Sequence, residues 1–227
     1  MKMQGKILQY EKNKDAIRER LTESTQKAFA MLPRMDKPHI LDIGCGSGTC
    51  AIKLAGLSNG EITALDIDQY QLDRLGTKLK DHNLQNRVKI VKCSMLEMDF
   101  PPSSFDIIWA EGSIYAIGFE RGLKEWRHLL KSKGFLAVHD DRGDVESKLD
   151  LVKKCGYYLM GYFVLTNDVW WNKYYAPLEK EIQNFMKKLP DDTAMPDELK
   201  NDQKEIDMYH KIPQRFESVF IVMQKSE

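Results

Sequence analysis

His39–Cys50 reads HILDIGCGSGTC, with an apolar run followed by glycines at three alternate positions, Gly44, Gly46 and Gly48. A short apolar run bounded by glycine has the length and character of a strand buried on both faces. The residues that follow, GTCAIKLAGL, carry helical spacing, with Ile52, Leu54 and Ala55 facing inward. Strand, tight glycine turn and helix together bring backbone close to a ligand.

The same alternation continues outward from this stretch. EITALDI (61–67), RVKIVKC (87–93), SFDIIWA (104–110), FLAVHD (135–140) and YYLMGYFVL (157–165) read as strands. Helices are expected between them at 68–83, 119–134 and 144–156, with Asp68 capping the first and Asp141 or Asp144 capping the last. Gly134 is the expected stop of the middle helix. Strand–helix alternation with short links predicts an α/β, doubly wound, mostly parallel sheet. Residues 1–36 read as a polar helical segment, with Ile17, Leu21, Ala28 and Leu32 forming its stripe. After residue 165 the alternation stops. Residues 166–212 read as a helical insertion in which Tyr174, Leu178, Ile182, Phe185 and Leu189 share one face. RFESVFIVMQK (215–225) reads as a final strand.

The 227 residues suit one domain, 1–227, with elaborations. Lys plus Arg equals Asp plus Glu at 34 each, and this neutrality argues against a nucleic-acid binder. No apolar run approaches the roughly 20 residues that span a bilayer, and MKMQGKILQYEKNK lacks the apolar core of a secretory signal. Cys45, Cys50, Cys93 and Cys155 form no CxxC pair, so no metal site is expected and a reducing, cytoplasmic setting is.

The glycine turn fits two cofactor classes, or packing alone. A dinucleotide fingerprint has its third glycine one residue later, where this chain has Thr49. Asp42 stands just before the turn, where a carboxylate opposes a pyrophosphate but suits the ammonium and sulfonium of S-adenosylmethionine. Asp66 closes the second strand, where an acid can accept hydrogen bonds from both ribose hydroxyls of either cofactor. After the third strand, Ser94 can bond an adenine amino group and Met95 can pack on the ring.

ILDIGCGSG (40–48), ALDID (64–68) and SMLEMDFPPSSFDIIWAEGSIYAIG (94–118), in this order, closely resemble the class I S-adenosylmethionine-dependent methyltransferases. Within them the chain looks most like the small-molecule group related to the ubiquinone/menaquinone-biosynthesis enzymes. It is also similar to a smaller bacterial and archaeal set through residues 109–126 and WWNKYYAPLE (170–179). The resemblance implies a seven-stranded Rossmann-like sheet with an antiparallel last strand between strands five and six. It implies S-adenosyl-L-methionine as methyl donor, S-adenosyl-L-homocysteine as product and a small-molecule acceptor. Its expected contacts are Asp42, Gly44, Cys45, Gly46, Ser47, Gly48, Asp66, Ile67, Ser94, Met95, Glu111 and Tyr115. Many relatives carry an acid where this chain has Ser94.

WAEGSIY (109–115) lacks the N/D-P-P-Y/F pattern of enzymes that methylate a base amino group. Glu111 is a candidate general base or substrate-orienting acid, or else a solvated loop acid. His139 is a candidate base or substrate contact. Adjacent residues of the His139-Asp140-Asp141 run point to opposite faces, which opposes convergence on a metal. Tyr174, with Tyr175, is a candidate orienter, and 166–212 a candidate substrate lid. An RNA or protein methyltransferase, a non-catalytic cofactor-binding protein and a nicotinamide-dependent oxidoreductase remain the alternatives, and the oligomeric state stays open, a homodimer included.

Overall fold

The computed structural model describes residues 3–190 and 194–227. They form two compact units, one from residues 3–21, 165–190 and 194–217, the other from 22–164 and 218–227.

The larger unit holds a seven-stranded sheet. Its strands are β1 (His39–Ile43), β2 (Glu61–Asp66), β3 (Val88–Lys92), β4 (Phe105–Glu111), β5 (Leu130–Asp141), β6 (Tyr157–Leu165) and β7 (Ser218–Lys225). Their spatial order is β3-β2-β1-β4-β5-β7-β6. β1 pairs in parallel with β2 and β4, β2 with β3, and β4 with β5, while β7 runs antiparallel to β5. This is the doubly wound Rossmann-like methyltransferase fold, with the antiparallel strand between the fifth and sixth. Its chain order reverses between β1 and β4, which opens a crevice at the carboxyl ends of the strands.

Burial explains the strand sequences. Ile40, Leu41 and Ile43 of β1, Ile107–Ala110 of β4 and Val219–Met223 of β7 are all buried, so these strands are apolar on both faces. Among the flanking helices, α3 (Thr49–Leu57) turns Ala51, Leu54 and Ala55 inward, with Ile52 only partly covered. α4 (Gln69–Asp81) buries Leu72, Leu75 and Leu79 and starts at Asp68, whose carboxylate accepts from the Tyr70 and Gln71 amides. α6 (Val145–Lys154) starts at Asp144, which accepts from the Ser147 amide.

The helix expected over 119–134 is shorter than its sequence pattern. α5 (Phe119–Trp126) gives way to a 3-10 turn at Arg127–Leu129, and Leu130 already pairs with Phe105. Strand pairing of Leu130, fully buried, overrides helix propensity here. The ladder shifts register between Phe105 and Ile107, and Lys133 adopts a positive φ of 59°. The final strand likewise begins at Ser218 rather than 215, after a 3-10 turn at Pro213–Phe216.

The smaller unit holds α1 (Met3–Arg18), α7 (Asn167–Trp170), a π-helical turn at Trp171–Tyr175, α8 (Ala176–Met186) and α9 (Asp197–Lys211). Tyr174, Leu178, Ile182, Phe185 and Leu189 share its core with Tyr10, Ile17, Leu199 and Ile206. Tyr10 donates to Asp202, which Lys14 also pairs. The next helix, α2 (Thr22–Phe29), belongs to the sheet unit, so the N-terminal helical segment contributes to both. Asp191–Thr193, inside the stretch read as a turn between insertion helices, lie outside the described residues.

Two positions make the packing testable. Gly48 opens α3 at φ 84°, and a Cβ there would lie 2.1 Å from Leu75 Cδ1, in the core. We expect Gly48→Ala to cost about 2–4 kcal/mol, from backbone strain and overlap together. Gly56, in the same helix, faces no atom within 4 Å, and Gly56→Ala should gain up to about 1 kcal/mol. Urea unfolding of both variants checks the contrast; equal effects would contradict it.

His139 in β5 is buried, bonded to Ser218 Oγ at 2.8 Å and stacked on Phe220. Burial, and secondarily the Lys148 cation, push its pKa down to about 4 from 6.5. The unfolded chain therefore takes up this proton first as pH falls. The resulting stability, on the order of 3 kcal/mol, is present above pH 6.5 and lost progressively towards pH 4. Asp42, Glu111 and Asp140, raised by burial, act in the opposite sense. The wild-type curve should therefore fall relative to that of His139→Asn across this window. Parallel curves would refute the neutral, buried imidazole.

Candidate functional site

At the crevice, the backbone turn after β1 is clamped to the end of β2. The Gly44 and Cys45 amides both donate to Leu65 O at 2.9 Å. The Gly46 amide donates to Asp66 Oδ2 at 2.8 Å, and the Asp68 amide to Oδ1 at 2.9 Å. An ionised carboxylate offers about four acceptor sites, so the Asp66 carboxylate keeps further acceptor capacity while holding the turn.

The three glycines serve different ends. A Cβ at Gly44 would lie 2.5 Å from Ser113 Cβ, and one at Gly48 would strike Leu75. Those two glycines let β4's loop and α4 approach. A Cβ on Gly46 would meet nothing within 4 Å, so its missing side chain leaves open space beside Asp66. Ser113 completes the turn from across the crevice, donating from Oγ to Ile43 O at 2.6 Å.

A cavity of about 330 Å³ lies here. Gly44 forms one wall with Gly112 and Ser113, and Leu65, Asp66 and Ile67 form the second. Cys93, Ser94, Met95 and Leu96 form the third, closed by Tyr115, Ala116 and Ile117. Ile67 and Tyr115 remain 69% and 71% exposed at its rim, although both are large and apolar. Apolar side chains gathered at a polar cleft mark a surface suited to covering by a ligand. Ser94 Oγ accepts from the Leu96 amide at 3.2 Å and keeps its hydroxyl proton for another acceptor.

Of the expected cofactor contacts, the cavity therefore gathers Gly44, Asp66, Ile67, Ser94, Met95 and Tyr115. Gly46 borders it through Asp66. Cys45 is buried within the turn, its thiol pushed up by burial, and Ser47 accepts from Lys78 Nζ at 3.1 Å on the α4 side. Asp42 is buried behind the turn with Oδ2 lacking a hydrogen-bond partner among the described residues. Burial, reinforced by Glu111 and Asp66, holds its pKa well above the usual carboxylate range.

The candidate catalytic residues are not together. Glu111 precedes the wall residue Gly112, but its carboxylate turns to α2, accepting from Thr25 Oγ1 at 3.0 and 3.2 Å and from Trp109 Nε1 at 3.1 Å. The Cys50 side chain also bonds it, and burial raises its pKa despite these donors. Glu111 is thus a partly buried, bonded acid rather than a solvated loop residue. His139 packs between Ser218 and Phe220 and does not line the cavity. Asp140 pairs with Lys148, and among the described residues no three His, Cys, Asp or Glu side chains gather to hold a metal ion. Tyr174 lies in the smaller unit's core, 3.4 Å from an Arg18 guanidinium nitrogen that donates to its hydroxyl.

Sequence reading missed Ser113 and Ile117 on the cavity wall and Thr25 as the partner of Glu111. Ser113 had a usable signal, a small polar residue directly after the fourth strand's Glu111-Gly112 end. Thr25 had none, because it lies 86 residues from Glu111.

Residues 40–134, from β1 into β5, match the methyltransferase-domain family. A sterol 24-C-methyltransferase of Gibberella zeae is 31% identical over 117 residues, covering 48% of this chain and 31% of that enzyme. The chain spans less than half the length of the curated relatives it matches. Among solved structures, the (4+2)-cyclase SpnF superposes with TM-score 0.74 at 18% identity, covering 92% of this chain and 80% of SpnF. A protein described as a sarcosine dimethylglycine methyltransferase from Galdieria sulphuraria gives TM-score 0.71 at 18% identity, covering 91% and 84%. The chain thus has the Rossmann-like methyltransferase fold, with the methyltransferase-domain family matched over residues 40–134, from β1 into the start of β5.

Proposed function

We propose that this chain is an S-adenosylmethionine-dependent methyltransferase that transfers a methyl group to a small-molecule acceptor by in-line displacement. The observation that carries this is the cavity at the strand ends, where Asp66 presents spare acceptor sites next to the open side of Gly46. The donor set fits that molecule. Of the lining residues, Asp66 would accept from the ribose hydroxyls, Met95, Leu96 and Ile117 would supply apolar surface for the adenine, and Ser94 would supply a hydroxyl at its edge. Bound there, S-adenosylmethionine supplies a methyl group already activated on a sulfonium sulfur.

The protein's part is then largely alignment, since holding two reactants at near-attack geometry can remove about 7–11 kcal/mol of barrier. A base is required only for an acceptor that is protonated at working pH. Glu111, next to the cavity wall, is the foremost candidate. Its raised pKa makes it a stronger base than an ordinary surface carboxylate. His139 and Tyr174 are further candidates for acceptor-side chemistry, and residues 166–212 for a substrate lid.

Zero net charge supports a small-molecule acceptor over nucleic acid. The finer placement beside the ubiquinone/menaquinone-biosynthesis enzymes rests on the motifs at 40–48, 64–68 and 94–118, and the likeness to a smaller bacterial and archaeal set on 109–126 and 170–179. Four free cysteines fit a reducing, cytoplasmic setting, and no helix of the described residues is long and apolar enough to cross a membrane.

Calorimetric titration with S-adenosylhomocysteine tests the reading. Asp66→Ala should weaken binding at least about hundredfold, equivalent to ~2.7 kcal/mol. Gly46→Asp, which fills the open side of the turn, should do the same. Both variants should still unfold cooperatively. Affinity within about threefold of the natural chain would refute the site assignment.

A further inference from the structure

The two edges of the sheet are built differently. β3 ends one side, and its exposed Lys89 and Lys92 guard it in the way proteins commonly blunt an edge. β6 ends the other side as YYLMGYFVL, without a charge or a proline. Tyr158, Leu159, Met160 and Tyr162 are between 42% and 63% exposed. Tyr158, Met160 and Tyr162 alternate along the strand and therefore form one apolar stripe on one face. On the opposite face, Phe163 stacks on Phe220 and is covered by Lys27 Nζ, 4.1 Å from its ring centre.

We propose that β6 pairs antiparallel with β6 of a second copy of this chain, joining two sheets into one across a two-fold axis. The strand is self-complementary for this. Centred on Gly161, the pairing sets Met160 opposite Tyr162 of the copy and Tyr158 opposite Val164. Met160 and Tyr162 then form cross-strand contacts twice, related by the axis. The flanking charges also agree. Exposed Lys153 and Lys154 close α6 just before the strand and exposed Asp168 follows three residues after it, so an antiparallel copy brings the basic approach to one strand to the acidic exit of the other. An uncharged strand of matching apolar pattern is what this edge accepts, and the chain itself carries one. The backbone ladder and a few exposed side chains make a small interface beside the ~800 Å² per partner of typical stable complexes. The dimer is therefore expected to form in the micromolar range. This inference does not depend on the reaction catalysed.

Sedimentation velocity of the full chain, from about 1 to about 200 µM, tests it. The mass should rise from 26.4 kDa towards twice that value. Tyr162→Lys and Met160→Lys should each weaken association at least about tenfold while leaving the thermal midpoint of the dilute protein unchanged. Hydrogen exchange of the natural chain should show amides 158–164 gaining protection with concentration. A single-chain mass throughout overturns the proposal. So does a dimer that persists in both variants, or protection that appears only when another protein's strand is supplied.

Discussion

Leu65 O accepts two backbone amides at once, those of Gly44 and Cys45. This shared acceptor fixes the glycine turn to the end of β2 before any ligand is considered. Asp66, the next residue, then reaches the Gly46 amide with one oxygen and the Asp68 amide with the other. One dipeptide therefore sets the turn, the start of α4 and the cavity wall. Buried main-chain groups need partners, and here satisfying them places a carboxylate with spare acceptor capacity at the mouth of the crevice. Leu75 under Gly48 and Ser113 against Gly44 lock the turn from either side.

Much of this was legible in the sequence because the signals are local. A strand, its glycine turn and an acid some twenty residues later sit in one βαβ unit, so spacing alone predicts their meeting. Asp68, and either Asp141 or Asp144, read as helix caps for the same reason, and the structure uses Asp144 for the second. What escaped has tertiary causes. The 119–134 pattern looks helical throughout, yet Leu130 is claimed by Phe105 on β4. Glu111 looked equally like a loop acid or a base. Its true setting, bonded to Thr25 and Trp109, depends on α2 lying against α3, a relation no local pattern states. His139 looked like a candidate base, but strand alternation and Phe220 on the antiparallel β7 bury it as a neutral ring.

The fold sets limits on how far likeness extends. Folds superposing on this chain include a cyclase as well as a methyltransferase. The layers shared among them position a cavity, and the reaction depends on what is aligned beside it. In this chain the proposed cofactor-side residues are concentrated at the ends of β1 to β4. The candidates for acceptor chemistry are dispersed, one bonded behind the cavity wall, one in the β5–β7 core and one in the smaller unit. The donor side is accordingly the better defined half of the proposed site.

That half is open to direct measurement. Calorimetric titration of the natural chain with S-adenosylhomocysteine and, in parallel, with NADH separates the two cofactor classes that share a glycine turn. The account predicts one S-adenosylhomocysteine bound per chain at micromolar concentration and no heat from NADH. Saturable NADH binding with none for S-adenosylhomocysteine would contradict it.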